Sequence, residues 1–112
     1  MTQCNCSICR RYGAIWGYYT RAIVDINAKP GSLAVYRWGD NDINFYHCSR
    51  CGCVTHHGRV VEKADATDTL AINMRNADDT RLAGSIPVKM LDGAGTWGVL
   101  DCCALPDVFH SR

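Results

Sequence analysis

Along most of this chain, apolar and polar residues alternate with a period of two or gather in short aromatic and β-branched blocks. Nowhere does a helical period of 3.6 persist over three full turns, so the pattern predicts strands. Tyr12 to Tyr19 and Arg21 to Ile26 read as the first two. Asn27 to Ser32, with Pro30 and Gly31 adjacent, is a turn. Leu33 to Trp38 is the next strand, closed by the turn cluster Gly39-Asp40-Asn41-Asp42. Ile43 to His47 and Val54 to His57 are expected to form a hairpin. Thr69 to Met74 follows, with Leu70, Ile72 and Met74 on one face. Ile86 to Leu91 and Trp97 to Leu100 are the last strands, separated by Asp92-Gly93-Ala94-Gly95, and Asn76 to Leu82 has room for one short helical turn. The expected fold class is mainly β, built of small antiparallel sheets.

The length of 112 residues predicts a single domain over residues 1–112, large enough to bury about two-thirds of the surface its unfolded chain exposes. A net charge of +1 gives no basic field, so no nucleic-acid partner is expected. No stretch approaches the roughly eighteen apolar residues that span a bilayer, so no membrane partner is expected either. Met1-Thr2-Gln3-Cys4 lacks the basic and apolar run of an export signal, and the expected location is cytoplasmic.

The cysteines change the picture most. Six of the eight fall in two runs, Cys4-Asn5-Cys6-Ser7-Ile8-Cys9 and Cys48-Ser49-Arg50-Cys51-Gly52-Cys53. In an extended segment Cys4 and Cys6 present their thiols to one side, and a turn through Ser7 and Ile8 brings Cys9 round as a third. The second run reads as a zinc knuckle whose CxxC pair brackets a tight turn. Gly52 is suited to the positive φ that aims backbone N–H groups at the sulfurs. A disulfide framework fits the even count, but a reducing compartment and the CxC spacing disfavour it. The expected cofactor is therefore Zn²⁺, one or two ions. Candidate ligands are Cys4, Cys6, Cys9, Cys48, Cys51 and Cys53.

The run Cys4 to Ala14, followed by Cys48 to Cys53, resembles the glutathione-dependent formaldehyde-activating enzyme family, whose domain is shared with centromere protein V. Ala71 to Arg75, Leu91 to Ala94 with Trp97, and Leu105-Pro106 are similar to it as well. The resemblance implies an Mss4-like fold of coiled antiparallel sheets with two zinc sites. Cys4, Cys6 and Cys9 would hold the more exposed zinc, where thiol chemistry occurs, and Cys48 and Cys51 would belong to a structural one. The family completes that structural site with a CxC on an earlier strand, which this sequence does not contain. Cys53, His47, His56, His57 and the pair Cys102-Cys103 are candidate replacements, and another chain could contribute, which leaves homo-oligomerisation open.

Three thiolates around zinc leave one position open, the mark of a catalytic site, unless a fourth protein ligand such as Cys48 closes it. An incoming thiol at the open position would be held as thiolate, ready to attack a carbonyl. Arg10 and Arg11 could offset the site's negative charge and pair with the carboxylates of a glutathione-like partner, or could simply form a solvated face. The expected function is a carbon–sulfur lyase-type activity on a small thiol and a small aldehyde such as formaldehyde, with catalytic residues Cys4, Cys6 and Cys9. The alternative is a non-catalytic zinc module for a protein partner. Trp16 and the other aromatics are expected in the core or on sheet surfaces, with some able to line a substrate cleft, and Cys102 and Cys103 as small buried residues.

Overall fold

A computed structural model describes residues 1–38 and 42–106. The turn expected at Gly39-Asp40-Asn41-Asp42 lies for the most part outside the described residues. The chain divides into two compact units, Met1–Gly17 with Asn73–Arg112, and Tyr18–Ile72. The described residues are mainly β, with eight strands and two short α-helices.

In the first unit, strand β1 (Thr2–Cys4) leads to helix α1 (Ser7–Tyr12) and then to the start of β2 (Trp16–Thr20). After Asn73 come helix α2 (Thr80–Gly84) and strands β7 (Val88–Leu91) and β8 (Val99–Ala104). Strand β1 pairs antiparallel with β2 at Thr2 and Trp16, and β7 pairs antiparallel with β8. Against expectation, β1 runs parallel to β7, with Thr2, Gln3 and Cys4 opposite Lys89, Met90 and Leu91. A parallel pair needs a long crossover, and here eighty-odd residues separate the partners, so local turn signals could not reveal it.

Helix α1 stands where a simple turn was expected. It forms because the Cys6 sulfur takes the N-cap role, accepting the Cys9 N–H at 3.5 Å. Gly13 ends the helix in the left-handed region at φ 63°, donating its N–H to the carbonyls of Cys9 and Arg10. The Arg75 Nε donates to the Gly13 carbonyl at 2.5 Å, which ties that end down. The expected helical turn at Asn76 to Leu82 falls a few residues later, as α2, capped by the Asp79 carboxylate accepting from the Leu82 N–H. Ile8, Ala14, Ile15, Trp16, Ala83 and Val88 of this unit are buried.

The second unit is an antiparallel meander of β3 (Leu33–Trp38), β4 (Ile43–Cys48), β5 (Val54–Arg59) and β6 (Thr69–Asn73, of which Thr69 to Ile72 lie here). The β4–β5 hairpin is as expected, with the second cysteine run at its tip. Arg21 to Ile26 is not a strand: Arg21–Ile23 is a 3₁₀ turn, held by the Arg21 N–H donating to the Asp68 carbonyl at 2.7 Å. The expected one-face pattern of Leu70, Ile72 and Met74 also fails, because Met74 has left the strand for a 3₁₀ turn over Met74–Asn76. Phe45, Val54, Val60, Leu70 and Ala71 are the buried apolar residues of this unit.

His57 on β5 keeps a partly exposed edge but packs against Phe45, ring centroids 4.8 Å apart, and edge-on to Tyr18 at 6.3 Å. Burial, then the neighbouring His56, push its pKa down to about 4. An unfolded histidine titrates near 6.5, so from about pH 6.5 to 4 the unfolded chain takes a proton that the folded one refuses. Stability should therefore fall through that window as pH drops, by roughly 2–3 kcal/mol from this residue. Urea unfolding at pH 7.5 and 4.5 checks it. His57→Gln should lose about that much of the pH difference, and an unaltered difference would refute the assignment.

Candidate metal centre

The first cysteine run converges. Cys4 ends β1, Cys6 caps α1 and Cys9 lies in the helix, and their three sulfurs all sit within 4.8 Å of one another. Cys4 and Cys9 are buried and Cys6 is half-buried. Sulfurs bound tetrahedrally to one zinc at about 2.3 Å are about 3.8 Å apart, so closure requires shifts of an ångström or less. Within this unit no other described His, Cys, Asp or Glu joins the three.

Each sulfur accepts an N–H: Cys4 from the Cys6 backbone at 3.5 Å, Cys6 from the Cys9 backbone at 3.5 Å, and Cys9 from the Trp16 indole at 3.4 Å. Burial raises the Cys4 thiol above its ordinary pKa, and burial with the neighbouring thiols pushes Cys9 up to about 12, the Trp16 N–H working the other way. Burial also acts to raise Cys6, but the N–H groups and thiols around it prevail and hold it below the ordinary value. Three clustered sulfurs, two of them buried, that cannot all ionise alone are a donor set suited to a cation.

The support comes from the turn after β7. Asn5, between two of the cysteines, donates from Nδ2 to Asp92 Oδ1 at 2.9 Å and accepts the Ala94 N–H on Oδ1 at 3.0 Å. Asp92 in turn accepts from the Thr96 N–H and hydroxyl, both at 3.1 Å, and its hydrogen bonds hold its carboxyl below the usual range. Gly93 is thereby pressed onto the site, where a β-carbon would lie 2.3 Å from the Cys4 sulfur. Sequence reasoning missed Asn5, Gly93 and Trp16 as parts of the site. An amide between two ligand cysteines and a glycine-bearing turn were the signals present.

A cleft of about 140 Å³ opens beside the sulfurs, lined by Gln3, Cys4, Asn5, Cys9, Arg10 and Met90 among others. It holds the space of a few water molecules. Arg10 reaches it, whereas Arg11 turns back along its own helix and donates to the Ser7 carbonyl at 2.9 Å.

The second run is placed differently. Gly52 adopts φ 79° and donates to the Cys48 carbonyl at 2.8 Å, and the Arg50 N–H points at the Cys48 sulfur at 3.4 Å, as a knuckle turn requires. N–H groups of Cys51 and Arg50, in that order, lower the Cys48 thiol. Cys51 and Cys53 are exposed, and Cys48, Cys51 and Cys53 are not gathered as closely as the first three. His56 stacks flat on Tyr46 at 4.3 Å with Nδ1 2.8 Å from the Thr55 hydroxyl, and His57 packs on Phe45, so both rings are engaged along the strands. His47 is half-buried on β4. Cys102 and Cys103, expected to be buried, are exposed on β8, because this strand buries neither of its faces. A larger cleft of about 450 Å³ in the second unit, lined by Tyr18, His57, Arg59 and Asp68 among others, gathers no ligating cluster among the described residues. No helix among these residues is long and apolar enough to cross a membrane.

No protein-family model and no curated protein sequence matches this chain. A solved structure of a Rhodobacter sphaeroides protein is similar, with 26% sequence identity over 78% of each chain and a TM-score of 0.61. The chain thus shares a mainly β fold with that protein and carries a cysteine triad able to hold a metal ion.

Proposed function

We propose that Cys4, Cys6 and Cys9 hold zinc with one position open, and that the protein is a carbon–sulfur lyase-type enzyme joining or separating a small thiol and a small aldehyde. The observation that carries this reading is the convergence of three sulfurs beside an open cleft, with no fourth ligand supplied within their unit among the described residues. It agrees with the resemblance to the glutathione-dependent formaldehyde-activating enzymes, and a cytoplasmic location suits both thiols and substrate.

Bound zinc would supply a centre that favours the thiolate form of an incoming thiol at neutral pH. The chain's own residues do the rest. Arg10, exposed at the cleft, pairs with a carboxylate of a glutathione-like thiol and orients its sulfur inward. Asn5 and Asp92 fix the turn that bounds the site. With formaldehyde, the thiol sulfur forms a bond to the carbonyl carbon, the carbon–oxygen π bond breaks, and the thiol proton ends on the oxygen.

A second reading, a zinc module for a protein partner, is favoured by one observation. Trp97, Val99, Leu100 and Leu105 are exposed apolar residues at and around β8. The two readings separate by NMR of labelled formaldehyde with glutathione. Zinc-loaded protein should accelerate adduct formation and Cys9→Ser should not; equal rates in the two would eliminate the lyase.

A further inference from the structure

We infer that Trp16 is a positioning residue of the metal centre, its indole N–H holding the Cys9 sulfur in place for the metal. The inference rests on the reading of the triad as a metal site and adds a residue that neither the spacing nor the chemistry of the cysteines indicates.

Trp16 is fully buried, at 0% exposure, and Cys9 is 7% exposed. A buried indole carries a single donor and no acceptor, and that donor has to be satisfied. Here it points at a sulfur 3.4 Å away. A neutral thiol is a weak acceptor, whereas a thiolate makes a charge-assisted bond about twice as strong. A buried indole N–H aimed at a sulfur of the triad is the arrangement of an outer partner that orients a metal ligand.

Position supports the same conclusion. Trp16 opens β2 directly opposite Thr2 of β1, the strand that ends in Cys4. The backbone that sets Cys4 therefore also sets the indole, while Gly13 ends α1 three residues earlier and fixes Cys9 on its other side. The Cys4 and Cys6 sulfurs accept backbone N–H groups, which substitution does not remove. The Cys9 donor is a side chain and can be tested.

Trp16 is replaced site-specifically by 3-benzothienylalanine, which keeps the shape of the ring and exchanges N–H for sulfur. Cobalt(II) and zinc(II), each alone, are the probes. The expected result is metal affinity weakened about tenfold to a hundredfold, the range for such outer partners. A shifted thiolate-to-cobalt charge-transfer band and an unchanged metal-free circular dichroism spectrum should accompany it. Wild-type affinity with an unshifted band would overturn the inference while leaving the metal site standing. Failure of the unaltered protein to bind either metal would overturn both. Should the replacement not fold, the wild-type protein decides. On cadmium(II) loading, the assigned Trp16 indole proton should shift and couple to ¹¹³Cd through the sulfur, and an unmoved resonance would refute the role.

Discussion

Cys9→Ser is expected to weaken zinc binding by about two orders of magnitude while leaving the fold intact. The apparent free energy of zinc at structural sites is about 10–16 kcal/mol, so one ligand of four carries about 3 kcal/mol, or roughly a hundredfold. Serine cannot replace the lost share, because its hydroxyl does not ionise near neutral pH as a metal-activated thiol does. Cys9 is also buried, set in α1 and held by the Trp16 indole. Competition titration against a chromogenic chelator measures the change. Cys53→Ser, in the exposed hairpin tip, is the control and should leave the affinity of the triad unaltered. Equal losses from both would mean that the metal is not held by the first cysteine run.

Gly93→Ala should be the most damaging change outside the cysteines. Its β-carbon would lie 2.3 Å from the Cys4 sulfur and 3.4 Å from both the Cys6 β-carbon and the Trp97 ring. The turn cannot retreat, since the Asn5 amide grips it from both of its ends and the Asp92 N–H donates to the Gly98 carbonyl at 2.8 Å. The sulfur is what moves. Overpacking of this kind costs about 1–3 kcal/mol in stability. Because Cys4 belongs to the triad proposed to hold the metal, metal affinity should fall at least about tenfold, each decade being 1.4 kcal/mol. Chemical unfolding and metal titration on one preparation check both. An alanine variant with wild-type affinity would show that the turn is not seated on Cys4.

What the sequence disclosed and what it concealed follow from distance along the chain. The hairpin of β4 and β5 was legible because its alternation and its turn are local, and Gly52 showed its positive φ through the CxxC spacing. The triad was legible because three ligands fall within six residues. Helix α1 was not, since six residues carry no period and its N-cap is a cysteine sulfur rather than a hydroxyl or carboxylate. Strand β1 has only three residues, and its partner β7 lies over eighty positions away. The Asn5–Asp92 contact and the pressure of Gly93 on Cys4 are equally remote, so the site's support appears only when the chain is folded. Strand β8 ran later than expected, over Val99–Ala104, because a strand exposed on both faces leaves no burial alternation to read.

X-ray absorption at the metal edge of the zinc-loaded protein tests the central claim most directly. Three sulfurs at about 2.3 Å with one lighter, exchangeable ligand are expected, and glutathione should convert that count to four sulfurs. Four protein sulfurs indifferent to added thiol, or a protein that retains no zinc, would contradict it.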